Sequence, residues 1–166
     1  MSFANRISQT LHDEHGATVA LMERLEQMLA RWRRGPPDKL DGGVARLLSD
    51  LSASVEAEVE RHFAFEEEYI FTYLEGIGDA EIGKHLTNEH AAMRPTGKRI
   101  AAMARAAAVN GFSPAEWEEF MRLGKEFGDR ILAHVQKEEM ALLPVLEENM
   151  DAETEAELFQ KYVENG

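Results

Sequence analysis

Two pairs of residues in this sequence share a spacing suited to metal chemistry: His62 with Glu66, and His134 with Glu138. Upstream of each pair stands a Glu-His doublet, Glu14-His15 before the first and Glu89-His90 before the second. An α-helix turns about 100° per residue, so positions four apart lie roughly 40° apart and share one face. Two such helices, with one histidine from each of two others, can surround a pair of cations. The chain has no cysteine, which excludes disulfides, thiolate metal sites and cysteine nucleophiles. Imidazole and carboxylate are the donors that remain.

Helical periodicity runs through almost the whole chain and decides which side chains face a common core. A first helix over about residues 4–34 carries Ile7, Leu11, His15, Thr18, Met22, Leu25, Leu29 and Trp32, and Gly35-Pro36-Pro37 stops it. A second, over about 44–75, carries Val44, Leu48, Leu51, Val55, His62, Glu66, Tyr69 and Tyr73. After a short turn, a third spans about 80–109 with Leu86, His90, Met93, Gly97, Ile100 and Ala104; Pro95 is expected to kink it. The fourth opens at Ser113-Pro114-Ala115-Glu116, which combines an N-cap, a first-turn proline and a capping-box glutamate. It continues with Trp117, Phe120, Gly124, Phe127, Ile131, His134, Glu138, Ala141 and Val145. Residues 151–164 read as a short amphipathic helix. No stretch alternates with a period of two. Long helices with short connections predict an all-α fold, an up-down-up-down antiparallel four-helix bundle with a short C-terminal helix. A single domain over residues 1–166 is expected, with the bundle over about 4–148 and a tail over 149–166.

His15, His62, Glu66, His90, His134 and Glu138 all fall on the core-facing stripes, where a bundle would otherwise carry leucine or isoleucine. Antiparallel packing brings the starts of the first and third helices against the ends of the second and fourth. At ~1.5 Å per residue, all six lie at about the same height, roughly 15–20 Å from one end. Buried and unpaired, each would cost on the order of several kcal/mol, and no lysine or arginine shares their stripes nearby. Cations would neutralise them while holding the imidazoles neutral. One division gives each of two ions two histidines, His15 with His62 and His90 with His134, bridged by Glu66 and Glu138. Coordination positions then stay open, which points to reactivity; imidazole with carboxylate suits iron best, with manganese and zinc as alternatives.

Weaker candidates stand further out. His12 lies at the edge of the first stripe and Glu58 one turn before His62. Tyr69 and Tyr73 follow Glu66, where a phenol could donate to a metal-bound species or simply pack in the core. Glu67 and Glu139 point away from their neighbours and read as solvated, while Met22, Met93 and Met140 read as core fillers.

Taken in order, four motifs resemble the hemerythrin-like, or HHE cation-binding, domains over about residues 8–148. They are Leu11-x-x-Glu14-His15, His62-Phe63-x-x-Glu66-Glu67 with Tyr69-x-Phe71, Leu86-x-x-Glu89-His90, and His134-x-x-x-Glu138-Glu139-x-x-Leu142-x-Pro144. The resemblance implies a non-haem centre of two iron ions bridged by two carboxylates and an oxo or hydroxo group. Members of that family bind dioxygen, sense oxygen, nitric oxide or iron, repair iron–sulfur clusters, or decompose peroxide. The oxygen carriers have two histidines four apart on the third helix. Here Leu86 stands four before His90, and His85, five before, points roughly 140° away unless a π-bulge shifts the register. The expected set is therefore four histidines and two glutamates, as in the non-carrier members. The iron–sulfur repair members carry a cysteine-containing N-terminal segment, and this chain has no cysteine.

Charge narrows the partners. A formal net charge of −13 argues against nucleic acid and anionic membranes, which call for basic surfaces. The N-terminal MSFANRISQT lacks the apolar core of a signal peptide and no apolar run could span a membrane, so a cytoplasmic location is expected. The expected function is a di-iron protein that binds or reacts with a small ligand (dioxygen, nitric oxide or peroxide) behind an apolar wall of Phe65, Leu86, Met93 and Ile131. The alternative is a non-catalytic regulatory or iron-storage module that responds to metal or oxygen. A ferritin-like oxidase uses Glu-x-x-His, and no histidine here has a glutamate three residues before it.

Overall fold

The computed structural model describes residues 3–39 and 41–165. Its helices are α1 Arg6–Arg31, α2 over 42–76, α3 Ala80–Asn110, α4 over 114–149 and α5 Ala152–Asn165. Their starts reflect local chemistry. Asn5 accepts from the N–H groups of Ile7 and Ser8, Asp41 from that of Val44, and Ser113 with Glu116 forms the reciprocal capping box expected of the fourth helix. α3 ends at Gly111, whose φ of +72° a side chain would resist.

Specific contacts set the topology. The N–H of Asn5, before α1, donates to Glu147 near the end of α4, and the Trp117 indole, at the start of α4, donates to the Trp32 carbonyl just past α1. Gly83 near the start of α3 lies against Phe71 near the end of α2, and Gly97 further along α3 lies against Val59 further back on α2. A Cβ on Gly97 would come within 2.8 Å of Val59 Cγ1, so glycine permits this approach. The four long helices pack antiparallel in a ring α1–α2–α3–α4, the up-down-up-down bundle expected.

The core consists of two apolar blocks. Leu25, Leu51, Val55, Ile100, Trp117 and Phe127 belong to the larger, and Ile7, Leu11, Ile70, Leu74, Leu86 and Leu142 to the smaller. Along each long helix the buried histidines and glutamates fall between the two sets, forming a polar layer. None of the described helices is long and apolar enough to cross a membrane.

The register departs from a regular helix at three wide, π-helical turns: Glu58–His62 and Glu66–Ile70 in α2, and Glu138–Leu142 in α4. The N–H groups of Phe63, Phe71 and Leu143 reach back five residues to close them. Steps of four, as in 62-66-70-74 and 134-138-142-146, drift by about 40° each on an α-helix, and an extra residue in a turn cancels the drift. The core positions after the two glutamates are therefore Ile70, Leu74, Leu142 and Leu146, all fully buried. This corrects the regular-helix expectation, which put Tyr69, Tyr73, Ala141 and Val145 there. Ala141 is exposed, Tyr69, Tyr73 and Val145 are half-buried, and Met140, expected in the core, is 73% exposed. α3 contains no wide turn and stays helical through Pro95.

Helix α5 lies over the α1 end of the bundle. Arg6 pairs with Glu155 and sits over the Phe159 ring, and Leu158, Phe159 and Tyr162 pack against the smaller block, while no α5 residue is fully buried.

Candidate metal centre

His15 comes from α1, His62 and Glu66 from α2, His90 from α3, and His134 and Glu138 from α4; all six are buried in the polar layer. The histidines converge through Nε2. His15 Nε2 is 2.8 Å from Glu138 Oε2, and His134 Nε2 is 2.6 Å from Glu138 Oε1. His62 Nε2 and His90 Nε2 are 3.3 and 3.2 Å from Glu66 Oε1, and His90 Nε2 is 3.0 Å from His134 Nε2. The donors form two groups, His15–His62–Glu66–Glu138 and His90–His134–Glu66–Glu138, each with its donor atoms within 4.8 Å of one another. Glu66 and Glu138 belong to both, where bridging carboxylates would stand.

His62 Nε2 and both carboxylate oxygens of Glu66 have no hydrogen-bond partner among the described residues, although they are buried. Such atoms are rare and costly unless a cation completes them. The donor types and separations fit a pair of metal ions, each drawing on two imidazoles and sharing the glutamates. In the cation-free cluster, protons do the neutralising. Burial opposes charge on all four rings, yet the hydrogen bond and charge of Glu138 lift His15 to about 9. The nearby Glu138 and Glu66 carboxylates lift His90 to about 9 against the same burial, and His62 and His134 are raised as well. Burial would push Glu138 up, but the surrounding imidazoles hold it well below the usual carboxylate range.

Behind each inner contact stands a second carboxylate. An ionised carboxylate can only accept, so the histidine proton is assigned to Nδ1. The Nδ1–H of His15 donates to Glu139 at 2.9 Å, that of His90 to Glu67 at 2.7 Å, that of His134 to Glu89 at 2.8 Å, and that of His62 to Glu14. When a ring gives up its second proton, this acceptor keeps the first on Nδ1 and leaves the Nε2 lone pair directed inward, the tautomer a metal ligand needs. Each of these carboxylates is the chain neighbour of an inner residue and serves a histidine on the next helix: α1 supports α2, α2 supports α3, α3 supports α4, and α4 supports α1. The Tyr162 hydroxyl on Glu14, Lys137 on Glu89 and His12 on Glu139 take the opposite oxygen, while Arg94 donates to the same Glu67 oxygen that His90 uses. Burial pushes the Glu14, Glu67 and Glu89 carboxyls up, but His62 with Tyr162, Arg94 with His90, and Lys137 with His134 bring the three below their ordinary value.

The two halves differ in shelter. The Phe63 ring stacks on His90 at 3.9 Å, Phe71 lies 5.7 Å from the same ring, and Leu86, Met93 and Ile131 are buried on the helices that carry His90 and His134. Beside His62 a cleft of ≈ 250 Å³ opens, lined by Glu14, Glu58, Arg61, Phe65 and Tyr162 among others. Burial pushes the Glu58 carboxyl up, and its Oε1 is 3.9 Å from His62 Nε2.

The structure thus brings together all six residues singled out by spacing. His12 sits behind Glu139, outside the inner set. His85 has a side chain 61% exposed and 3.4 Å from Glu89, because α3 lacks the wide turn that would swing it inward. Tyr69 packs its ring on Phe65 in the smaller apolar block. Glu67 and Glu139, expected to be solvated, hold histidines, and sequence reasoning missed the same part played by Glu14 and Glu89 and the reach of Tyr162. The doublets carried a signal for the four glutamates: helix neighbours lie about 100° apart, so a glutamate beside an inward residue faces an adjacent helix.

The family model of the hemerythrin HHE cation-binding domain matches residues 6–146, a span that includes the inner six and the four outer carboxylates. No curated protein matches the chain.

Proposed function

The chain belongs to the hemerythrin HHE cation-binding domain family, and we propose that it is a non-haem di-iron protein that binds or reacts with dioxygen, nitric oxide or peroxide. The observation that carries this reading is the set of buried, unpartnered donors, His62 Nε2 and both oxygens of Glu66, amid three more imidazoles and Glu138. His15 and His62 would hold one ion, His90 and His134 the other, with Glu66 and Glu138 shared. Four protein donors per ion leave positions free, which favours a reactive centre over a closed structural one. Bound there, an iron pair would supply two adjacent redox-active cations able to take up a small ligand and exchange electrons with it.

The protein's own part is orientation and shelter. Glu14, Glu67, Glu89 and Glu139 orient the rings and keep Nδ1 protonated. Phe63, Leu86, Met93 and Ile131 exclude water, and the cleft beside His62 admits small molecules from one side. The test is reconstitution with ferrous iron under argon, followed by air. Two irons per chain, one for each donor group, with near-ultraviolet charge-transfer bands on exposure support the reading. Two bound irons that give no spectral response to air, nitric oxide or peroxide would remove the reactive centre; a single bound zinc would remove the di-iron site.

A metal- or oxygen-responsive regulatory module is the second reading, and Tyr162 favours it. Its hydroxyl donates to Glu14, which accepts from His62, so α5 is joined to the cluster through two hydrogen bonds. Proteolytic release of α5 that depends on iron loading, with no turnover, would support this reading over the first.

A further inference from the structure

Helix α2 has two wide turns where α4 has one. Glu66–Ile70 and Glu138–Leu142 both start at the inner glutamates, whereas Glu58–His62 ends at its histidine and has no counterpart in α4, which is regular from Pro114 through Lys137. The consequence falls on one side chain. Four residues before His134 stands Arg130, 51% exposed and paired with Glu126 on its own helix. Four residues before His62 stands Glu58, only 9% exposed, with no hydrogen bond to any described residue and with Oε1 3.9 Å from His62 Nε2. A buried carboxyl without a donor is costly unless something completes it. Glu58 lines the cleft, and beside it His62 Nε2 and both Glu66 oxygens are fully buried without a partner among the described residues.

We propose that Glu58 is a third carboxylate for the cation drawn by His15 and His62, closing on that ion when the site is loaded. The proposal rests on the two-cation reading above. Donors at about 2.0–2.2 Å from one ion, at right angles, lie about 3 Å apart. A movement of about 1 Å, within the freedom of a glutamate side chain, brings Oε1 from 3.9 Å into that range. The two positions are then unequal. The cleft-side ion has two imidazoles and three carboxylates, and the enclosed ion has two imidazoles and only the shared pair. The added oxygen favours a harder, more highly charged cation and fills a position otherwise open to the cleft.

The test is titration of cation-free protein with cobalt(II), comparing wild type with Glu58→Gln, which keeps the shape and removes the charge. Wild type is expected to take up two ions in two steps. Glu58→Gln should weaken one step about tenfold or more, leave the other within about twofold, and strengthen the visible cobalt bands as the coordination number drops. Circular dichroism and melting of its unloaded form should show that the helical fold is kept. Two unaltered steps, or equal weakening of both, overturn the proposal and leave the two-cation reading standing. A wild type that takes up fewer than two ions overturns both. If Glu58→Gln loses its helicity, Glu58→Asp, one methylene shorter, is held to the same outcomes.

Discussion

Glu139 Oε2 lies 2.9 Å from His15 Nδ1, while its chain neighbour Glu138 meets the other nitrogen of the same ring at 2.8 Å. One helical step on α4 thus spans an imidazole on α1. Glu139→Gln keeps a polar group but gives up the fixed ionised acceptor, so cation affinity should fall about 10–100-fold. Chelator competition measures it, with the exposed Glu118→Gln as control. Wild-type affinity in Glu139→Gln would discard orientation by the outer carboxylates.

Acidity should move the unloaded fold and cation binding in opposite directions. Burial opposes charge, yet contacts with Glu138 hold His15 and His90 at about 9, against an ordinary 6.5. A raised folded-state pKa gives stability that is complete below about pH 6.5 and is lost as pH climbs through about 9. Glu138, held well below its ordinary 4.5, makes a constant contribution across that window. Cations take the deprotonated rings, so affinity rises over the same interval. Melting temperatures of cation-free protein should therefore fall between about pH 6.5 and 9 while chelator-competition affinities climb. Curves that move together would refute the exchange of protons for cations.

Sharing sets the stoichiometry. Glu138 belongs to both donor groups and His134 to one. Glu138→Ala should lose nearly all bound metal, whereas His134→Ala should keep about one ion per chain, on the His15–His62 side. Elemental analysis of protein purified without a histidine tag distinguishes them. Equal losses in the two variants would mean that the halves do not load separately.

Tyr162→Phe removes the hydroxyl from Glu14 and leaves the apolar packing of α5 in place. The loss should cost about 1 kcal/mol, or about 2–4 °C in melting temperature for a chain of this size. Cation affinity should fall by less than in Glu14→Gln, which removes the acceptor of His62 itself. An undiminished melting temperature would show that the phenol contributes nothing to holding α5.

Much of the centre was legible because a step of four keeps His62 and Glu66 on one face whatever the neighbouring helices do. Beyond Glu66 the register depends on tertiary packing. Whether Tyr69 or Ile70 turns inward depends on where an extra residue enters the helix, and packing of Phe71 and Leu74 into the smaller block favours the wide turn. A trace of it lies in the run of fours through Ile70 and Leu74, which a regular helix cannot keep on one face. Glu67 and Glu139 were obscured differently: a charge beside an inward residue looks solvated until the adjacent helix is in place. Tyr162 reaches Glu14 only through the docking of α5, on which local periodicity is silent.

The outer glutamates also record the direction in which the helices circulate. On α1 and α3 the supporting residue comes one position before the inner histidine, as Glu14 and Glu89; on α2 and α4 it comes one position after the inner glutamate, as Glu67 and Glu139. Reversing a helix reverses its sense of rotation seen from a fixed end. One step back on an ascending helix and one step forward on a descending one therefore turn toward the same side. A bundle of opposite handedness would still gather six residues at its axis, yet it would aim all four glutamates at the wrong neighbour. Apolar patterning alone leaves those two circulations nearly equivalent, so the polar layer selects between them. Handedness is written in whether a glutamate precedes or succeeds the residue at its side.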